Sequence, residues 1–245
     1  MFVVDLRTIF LLAFITGMLA ALMVFFVREE AADVGAKDKH DISLSAFPAS
    51  YWRYLGVTAL FGLGNFSNAF LILRTSDLHV DLTTTIFIYA MFNLVAALAS
   101  YPAGYLSDVF GRKSLLLCCF LVFIGVFAGF GFTTDPIAVA VLFVMYGIFQ
   151  GVFRSVGKAM TSDFLPDEMR ASGIGWYTAT VGVTGLVASL TAGQLWVEVS
   201  PSVAFLTGAS FGVAGSIALL FLESSPRAAE TELPEAANVQ RTANS

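Results

Sequence analysis

Apolar residues run along this chain in long blocks divided by short polar breaks, without the strict alternation of a half-buried strand. Seven blocks are long enough to cross a bilayer, which takes roughly 20 mostly apolar residues for about 30 Å of hydrocarbon. They cover residues 9–27, 51–73, 84–103, 114–132, 136–157, 173–194 and 203–222. Alternating segments of about ten residues, the mark of a membrane barrel, are not evident. The pattern predicts an all-α polytopic membrane bundle of seven transmembrane helices, because a helix satisfies its own backbone polar groups in lipid.

Composition supports this reading. The chain is 57% hydrophobic and 13% charged, with mean hydropathy +0.80, against about 45–50% apolar and about 25% charged in soluble domains. The net charge of −5 does not point to a basic partner or to nucleic acid, since much of the acidic excess (Glu223, Glu230, Glu232, Glu235) falls in residues 223–245, which read as a disordered tail. The first block is too long for a signal-peptide core and lacks a small-residue cleavage pattern before Arg28-Glu29-Glu30, so it reads as a span. Cys118 and Cys119 are neighbours inside a span and read as small apolar fillers.

Basic residues mark the cytoplasmic side of a membrane protein. One alternate set of loops holds Arg28, Lys37, Lys39, Arg112, Lys113, Lys158, Arg170, Arg227 and Arg241, whereas the other holds only Arg7 and Arg74. Nine against two places the C-terminus in the cytoplasm and, after seven crossings, the N-terminus outside. The cytoplasmic (plasma) membrane is the expected location. Residues 28–50, polar and carrying Pro48, separate the first span (1–27) from the six that follow (51–222).

Between the third and fourth blocks lies Gly104-Tyr105-Leu106-Ser107-Asp108-Val109-Phe110-Gly111-Arg112-Lys113. It reads as a tight charged turn in which Gly104 allows close approach and Gly111 takes a backbone conformation other residues resist. Asp108 suits the amides of a nearby helix N-terminus, and Arg112 and Lys113 anchor the inner face. A second stretch, Ser162 to Gly173, places Pro166 at a helix end, Asp167 and Glu168 in the next first turn, and Arg170 at the headgroups.

The order G-x-L-x-D-x-x-G-R-K between two spans resembles the cytoplasmic-loop signature of the major facilitator superfamily, which follows that family's second helix and recurs less strictly after its eighth. Val109 stands where the family usually has a basic residue, which matches the laxer second copy. The 162–173 stretch is similar to the family's loop between its tenth and eleventh helices. The resemblance implies that the seven spans correspond to helices six to twelve, with 28–50 as the central loop and 51–222 as the C-terminal six-helix half. It further implies secondary transport of a small solute by alternating access, with five helices supplied elsewhere, by a longer gene, a separate chain or a second copy.

Polar residues inside spans are costly and usually face a bundle interior or a water-filled cavity. Asn65 and Asn68, Tyr89 with Asn93 and Ser100, the stripe Tyr146, Gln150 and Arg154, and Tyr177 with Thr180 and Thr184 each share a helix face. Interhelical hydrogen bonding is the competing account of each. Asn65, Asn68, Asn93, Gln150 and Tyr177 are the candidate substrate contacts. Gly104, Asp108, Gly111, Arg112, Lys113, Arg154, Asp163 and Arg170 are the candidate gating and structural residues. Glycines four apart (Gly125 and Gly129, Gly147 and Gly151, Gly208 and Gly212) suit close helix packing. No carboxylate lies deep in a span, so any coupling proton or ion would be carried by the other half.

A seven-helix receptor or sensor is the alternative. Its retinal form is excluded, because residues 203–222 contain no lysine for a Schiff base. An enzyme is not expected: neither His40 nor His79 lies in a span, and no catalytic pair, metal-ligand cluster or cofactor motif is present. The expected partners are the lipid bilayer and a small-molecule solute.

Overall fold

The computed structural model describes residues 46–222 continuously, with positions 11, 14–19, 22 and 23 before them. Residues 1–42 form one compact unit, in which the described positions are helical, and the rest of the chain forms a second. Most of the predicted first span, the 28–45 part of the central loop and the predicted tail at 223–245 lie outside the described residues.

The second unit comprises α1 (Ala49–Gly62), α2 (Ala69–Asp77), α3 (Leu82–Phe110), α4 (Arg112–Phe132), α5 (Pro136–Asp163), α6 (Arg170–Glu198) and α7 (Pro201–Leu220), with a short 3-10 turn at Asp167–Met169 before α6. No strand occurs among the described residues. Five helices there are long and apolar enough to cross a membrane: α3, α4, α5, α6 with its preceding turn, and α7. Four of them run past the apolar blocks, because a helix continues beyond the first charged side chain. Thus α5 carries Lys158 and ends at Asp163.

The block at 51–73 is not one helix. It breaks between Gly62 and Ala69, leaving helices of 14 and 9 residues, which rise about 21 Å and about 14 Å and so cross the hydrocarbon only in tandem. The break is fixed by backbone contact: a Cβ on Gly64 would lie 2.7 Å from the Phe211 Cβ and closer still to the Gly208 carbonyl oxygen. Within the break, turn bonds run from the Gly64 amide to the Phe61 carbonyl and from the Asn65 amide to the Gly62 carbonyl.

Three helix starts, those of α3, α5 and α7, are set by side-chain caps. Asp81 accepts from the Thr84 amide, Asp135 from the Ile137 and Ala138 amides, and Ser200 from the Val203 amide, with Pro136 and Pro201 opening α5 and α7 as the first turn of a helix favours. Hydrogen bonds from the Thr84 side chain and amide hold the Asp81 carboxyl below its ordinary range.

α3 packs chiefly on α5, and α4 on α7 and α5. Between them lies a phenylalanine core: Phe61 stacks on Phe120 at a centroid distance of 3.8 Å, and Phe123, Phe127, Phe130, Phe143, Phe149 and Phe205 are fully buried. Lipid tails are as apolar as these rings, so the core holds by close packing rather than by exclusion of water. Glycines admit that packing. A Cβ on Gly147 would meet the Phe92 carbonyl oxygen at 2.8 Å, one on Gly151 would overlap the Ala96 carbonyl, and one on Gly212 would meet Phe123 at 2.9 Å. Gly125 differs, with nothing near it. Cys119 is buried, its thiol donating to the Phe149 carbonyl, while Cys118 faces outward.

Candidate functional site

The expected ten-residue turn at 104–113 contracts to a single residue. α3 continues to Phe110 and α4 begins at Arg112, with Gly111 between them at φ +84°, a conformation glycine adopts without the clash of a Cβ. Gly104 lies inside α3 with open space where its Cβ would be, so it makes no close approach within this unit. Asp108 does not cap α4, whose N-terminus has no side-chain cap. It lies 3.4 Å from the Arg112 guanidinium, one helical turn further along the chain.

Arg112 joins the two stretches that the sequence singled out. Its guanidinium donates to the Asp163 carboxylate and to the Ala159 carbonyl, both at 2.6 Å, tying the start of α4 to the end of α5. Lys113 reaches the far side of the same end and donates to the carbonyls of Leu220 and Leu222, where α7 finishes. A cation there satisfies carbonyls that a helix end leaves unpaired. Arg170 pairs with Asp167 at 2.6 Å. The end that gathers Arg112, Lys113, Lys158 and Arg170 therefore closes three helix junctions. At the opposite end, buried Arg74 donates to the Thr133 carbonyl at 3.2 Å.

Tyrosines brace the start of α1 against the last part of α5 and the start of α6. Tyr51 donates to the Gly173 carbonyl and Tyr54 to the Gly157 carbonyl, each at 2.9 Å. Tyr54 stacks on Tyr177, with ring planes 3° from parallel. Tyr177, expected as a substrate contact, is buried in this brace and not in the pocket described next.

A polar pocket of about 650 Å³ opens at the break between α1 and α2. Such a volume lies within the range of small-molecule sites, roughly 300–1,000 Å³. Asn65, Phe66, Ser67, Asn68 and Ala69 line it consecutively, together with Ile72, Tyr89 from α3, Gln150 and Arg154 from α5, and Val181, Gly182, Gly185, Leu186 and Ser189 from α6. A regular helix presents residues three and four apart to one side, so five in succession follow from the break itself.

Hydrogen bonds set the direction of the amides. The Tyr146 hydroxyl lies 3.0 Å from the Asn68 Oδ1 and 3.3 Å from the Asn65 Oδ1, and the Gln150 Nε2 lies 3.4 Å from the Asn68 Oδ1. The Ser67 amide donates to the Ser189 hydroxyl at 3.0 Å, pinning the break to α6. Asn65, Asn68 and Gln150, three of the candidate substrate contacts, are thus brought together, and Arg154 joins them. Asn93 is not: its side chain folds back onto the Tyr89 carbonyl of its own helix at 2.8 Å, outside the pocket. Ser67, Ser189 and the α6 wall escaped sequence reading. The run Gly62-Leu63-Gly64-Asn65, two helix breakers beside a polar residue in an apolar block, was the available signal.

The family model of the Major Facilitator Superfamily matches residues 54–243. The chain belongs to that superfamily. Its position in the match agrees with the C-terminal half of such a transporter. An uncharacterized MFS-type transporter of Methanocaldococcus jannaschii is 33% identical over 220 residues, covering 87% of this chain and 55% of the relative. A hexuronate transporter of Bacillus subtilis is 24% identical over 205 residues, covering 81% of this chain and 46% of that protein. A second Bacillus subtilis protein, an uncharacterized MFS-type transporter, is 34% identical over 76 residues, 31% of this chain and 18% of its own length. The chain spans about half the length of the first and second of these relatives. It is accordingly a multi-pass membrane protein of a transporter family.

Proposed function

We propose that this chain is the substrate-bearing C-terminal half of a secondary transporter, moving a small solute by alternating access together with a second six-helix unit. One observation carries the reading: the pocket at the interrupted α1–α2 span, where amides, a tyrosine and an arginine converge at the level of the α5 midpoint. Discontinuous helices near the bilayer midplane are where transporters expose polar groups to their cargo. No covalent chemistry is needed, and no group of three or more histidine, cysteine or acidic residues able to hold a metal occurs among the described residues.

The partner half packs on the open side of this one, covalently linked or as a separate chain. The gathering of basic Arg112, Lys113, Lys158 and Arg170 at one end of the bundle supports a cytoplasmic position for that end. The salt bridges of Arg112 and Arg170 and the capping bonds of Lys113 keep the half rigid while the pocket changes sides. Solute flux in proteoliposomes tests the reading. The chain reconstituted with a matching first half should show solute-dependent uptake or counterflow, and vesicles holding either half alone should not. Loss of all flux in the reassembled transporter overturns it.

A further inference from the structure

We infer that the pocket selects a small organic anion, with Arg154 binding its carboxylate. The inference rests on the transporter reading and adds the substrate class. Three features carry it. First, Arg154 is exposed, lines the pocket and makes no hydrogen bond or ion pair among the described residues. A guanidinium at this depth in α5, about 14 Å of helix rise from Asp163, is costly unless it meets a counter-charge.

Second, the pocket lining contains no acidic residue. The acids of the described residues lie at helix ends and connections: Asp77, Asp81, Asp108, Asp135, Asp163, Asp167, Glu168 and Glu198. The site therefore carries a net positive charge of its own, which disfavours a cationic solute and leaves a neutral one without use for Arg154.

Third, the amides are turned to donate. The carbonyl oxygens of Asn65 and Asn68 face the Tyr146 hydroxyl and the Gln150 amide, so their NH2 groups are left for the pocket. Beside five guanidinium N–H donors, this makes a donor-rich wall. Carboxylates accept and never donate, and a guanidinium holds them through charge-assisted, bidentate bonds. Hydroxyl groups on the rest of the solute would find the Gln150 Oε1 and the Ser67 hydroxyl. The recognised molecule is thus a small carboxylate with a polar body.

The test compares carboxylates with their own amides, which differ in charge and hardly in shape. The full chain in lipid nanodiscs is melted with glucuronate, lactate or benzoate, and with glucuronamide, lactamide or benzamide. At least one carboxylate should raise the melting midpoint with its amide binding tenfold or more weaker. Arg154→Gln should abolish that preference while melting normally without ligand, and Arg154→Lys should retain part of it. Equal shifts from acid and amide, an undiminished shift in Arg154→Gln, or no shift from any of the six overturns the inference. Flux of the amides in the reassembled transporter would overturn the anion class and leave the transporter reading standing.

Discussion

The Arg112 guanidinium meets the Asp163 carboxylate at 2.6 Å across 51 positions of sequence, and the same nitrogen donates to the Ala159 carbonyl. Asp108 shares the guanidinium at 3.4 Å, but its side chain is 67% exposed against 13% for Asp163. Burial decides which bond matters. Asp163→Ala should lower stability by about 1–3 kcal/mol, the range for losing a charged hydrogen bond, whereas Asp108→Ala should change it by less than about 0.5 kcal/mol, as exposed ion pairs do. Denaturant titration in detergent micelles, followed by tryptophan fluorescence, separates the two variants.

Gly157 and Tyr177 form a steric pair. A Cβ on Gly157 would overlap the Tyr177 hydroxyl, so Gly157→Ala should cost about 1–3 kcal/mol as an overpacked contact does. Removing that hydroxyl in Tyr177→Phe should restore much of the loss in the double variant. A double-mutant cycle with no coupling between the two sites would refute this arrangement.

Two glycines inside helices should respond differently to alanine. Gly151→Ala pushes a methyl group into the Ala96 carbonyl, which is backbone and cannot move aside, and should destabilise the α3–α5 contact. Gly104→Ala meets open space within α3 and should be neutral or stabilise the isolated chain by up to about 1 kcal/mol, the helix preference for alanine over glycine. Melting temperatures measured side by side give the sign of each change.

Asn68→Asp replaces a donor with a carboxylate in the pocket that holds Arg154. It should supply the internal counter-charge the site lacks and so weaken carboxylate binding at least tenfold. Neutral Asn68→Ser, by contrast, should weaken it less. The nanodisc melting series reads both, and stronger carboxylate binding in Asn68→Asp would contradict the charge argument.

Hydropathy exposed the helices because lipid imposes one rule on every backbone polar group; it started one block at residue 136, where α5 begins, and another at residue 203, two positions after Pro201 opens α7. Asn65, Asn68 and Gln150 were legible as pocket residues because an amide in hydrocarbon is costly wherever it sits. Asn93 looked identical and is not one, since the Tyr89 carbonyl one turn back satisfies its side chain. That choice depends on rotamer and neighbours, to which periodicity is blind. The same holds for tyrosines: Tyr89 lines the pocket while Tyr177 stacks on Tyr54 at the start of α1. The 24 phenylalanines gave no hint of which formed the core, because lipid and protein interior are equally apolar to a ring.

The interruption between Gly62 and Ala69 has a practical consequence for anyone mapping this protein by mutagenesis. Where five successive residues wall a cavity, part of what a solute touches is main chain, and alanine scanning leaves main chain in place. Such a scan will undercount the contacts of this stretch. Backbone-altering replacements, proline or an amide-to-ester exchange at Phe66 and Ser67, are the probes that can reveal them.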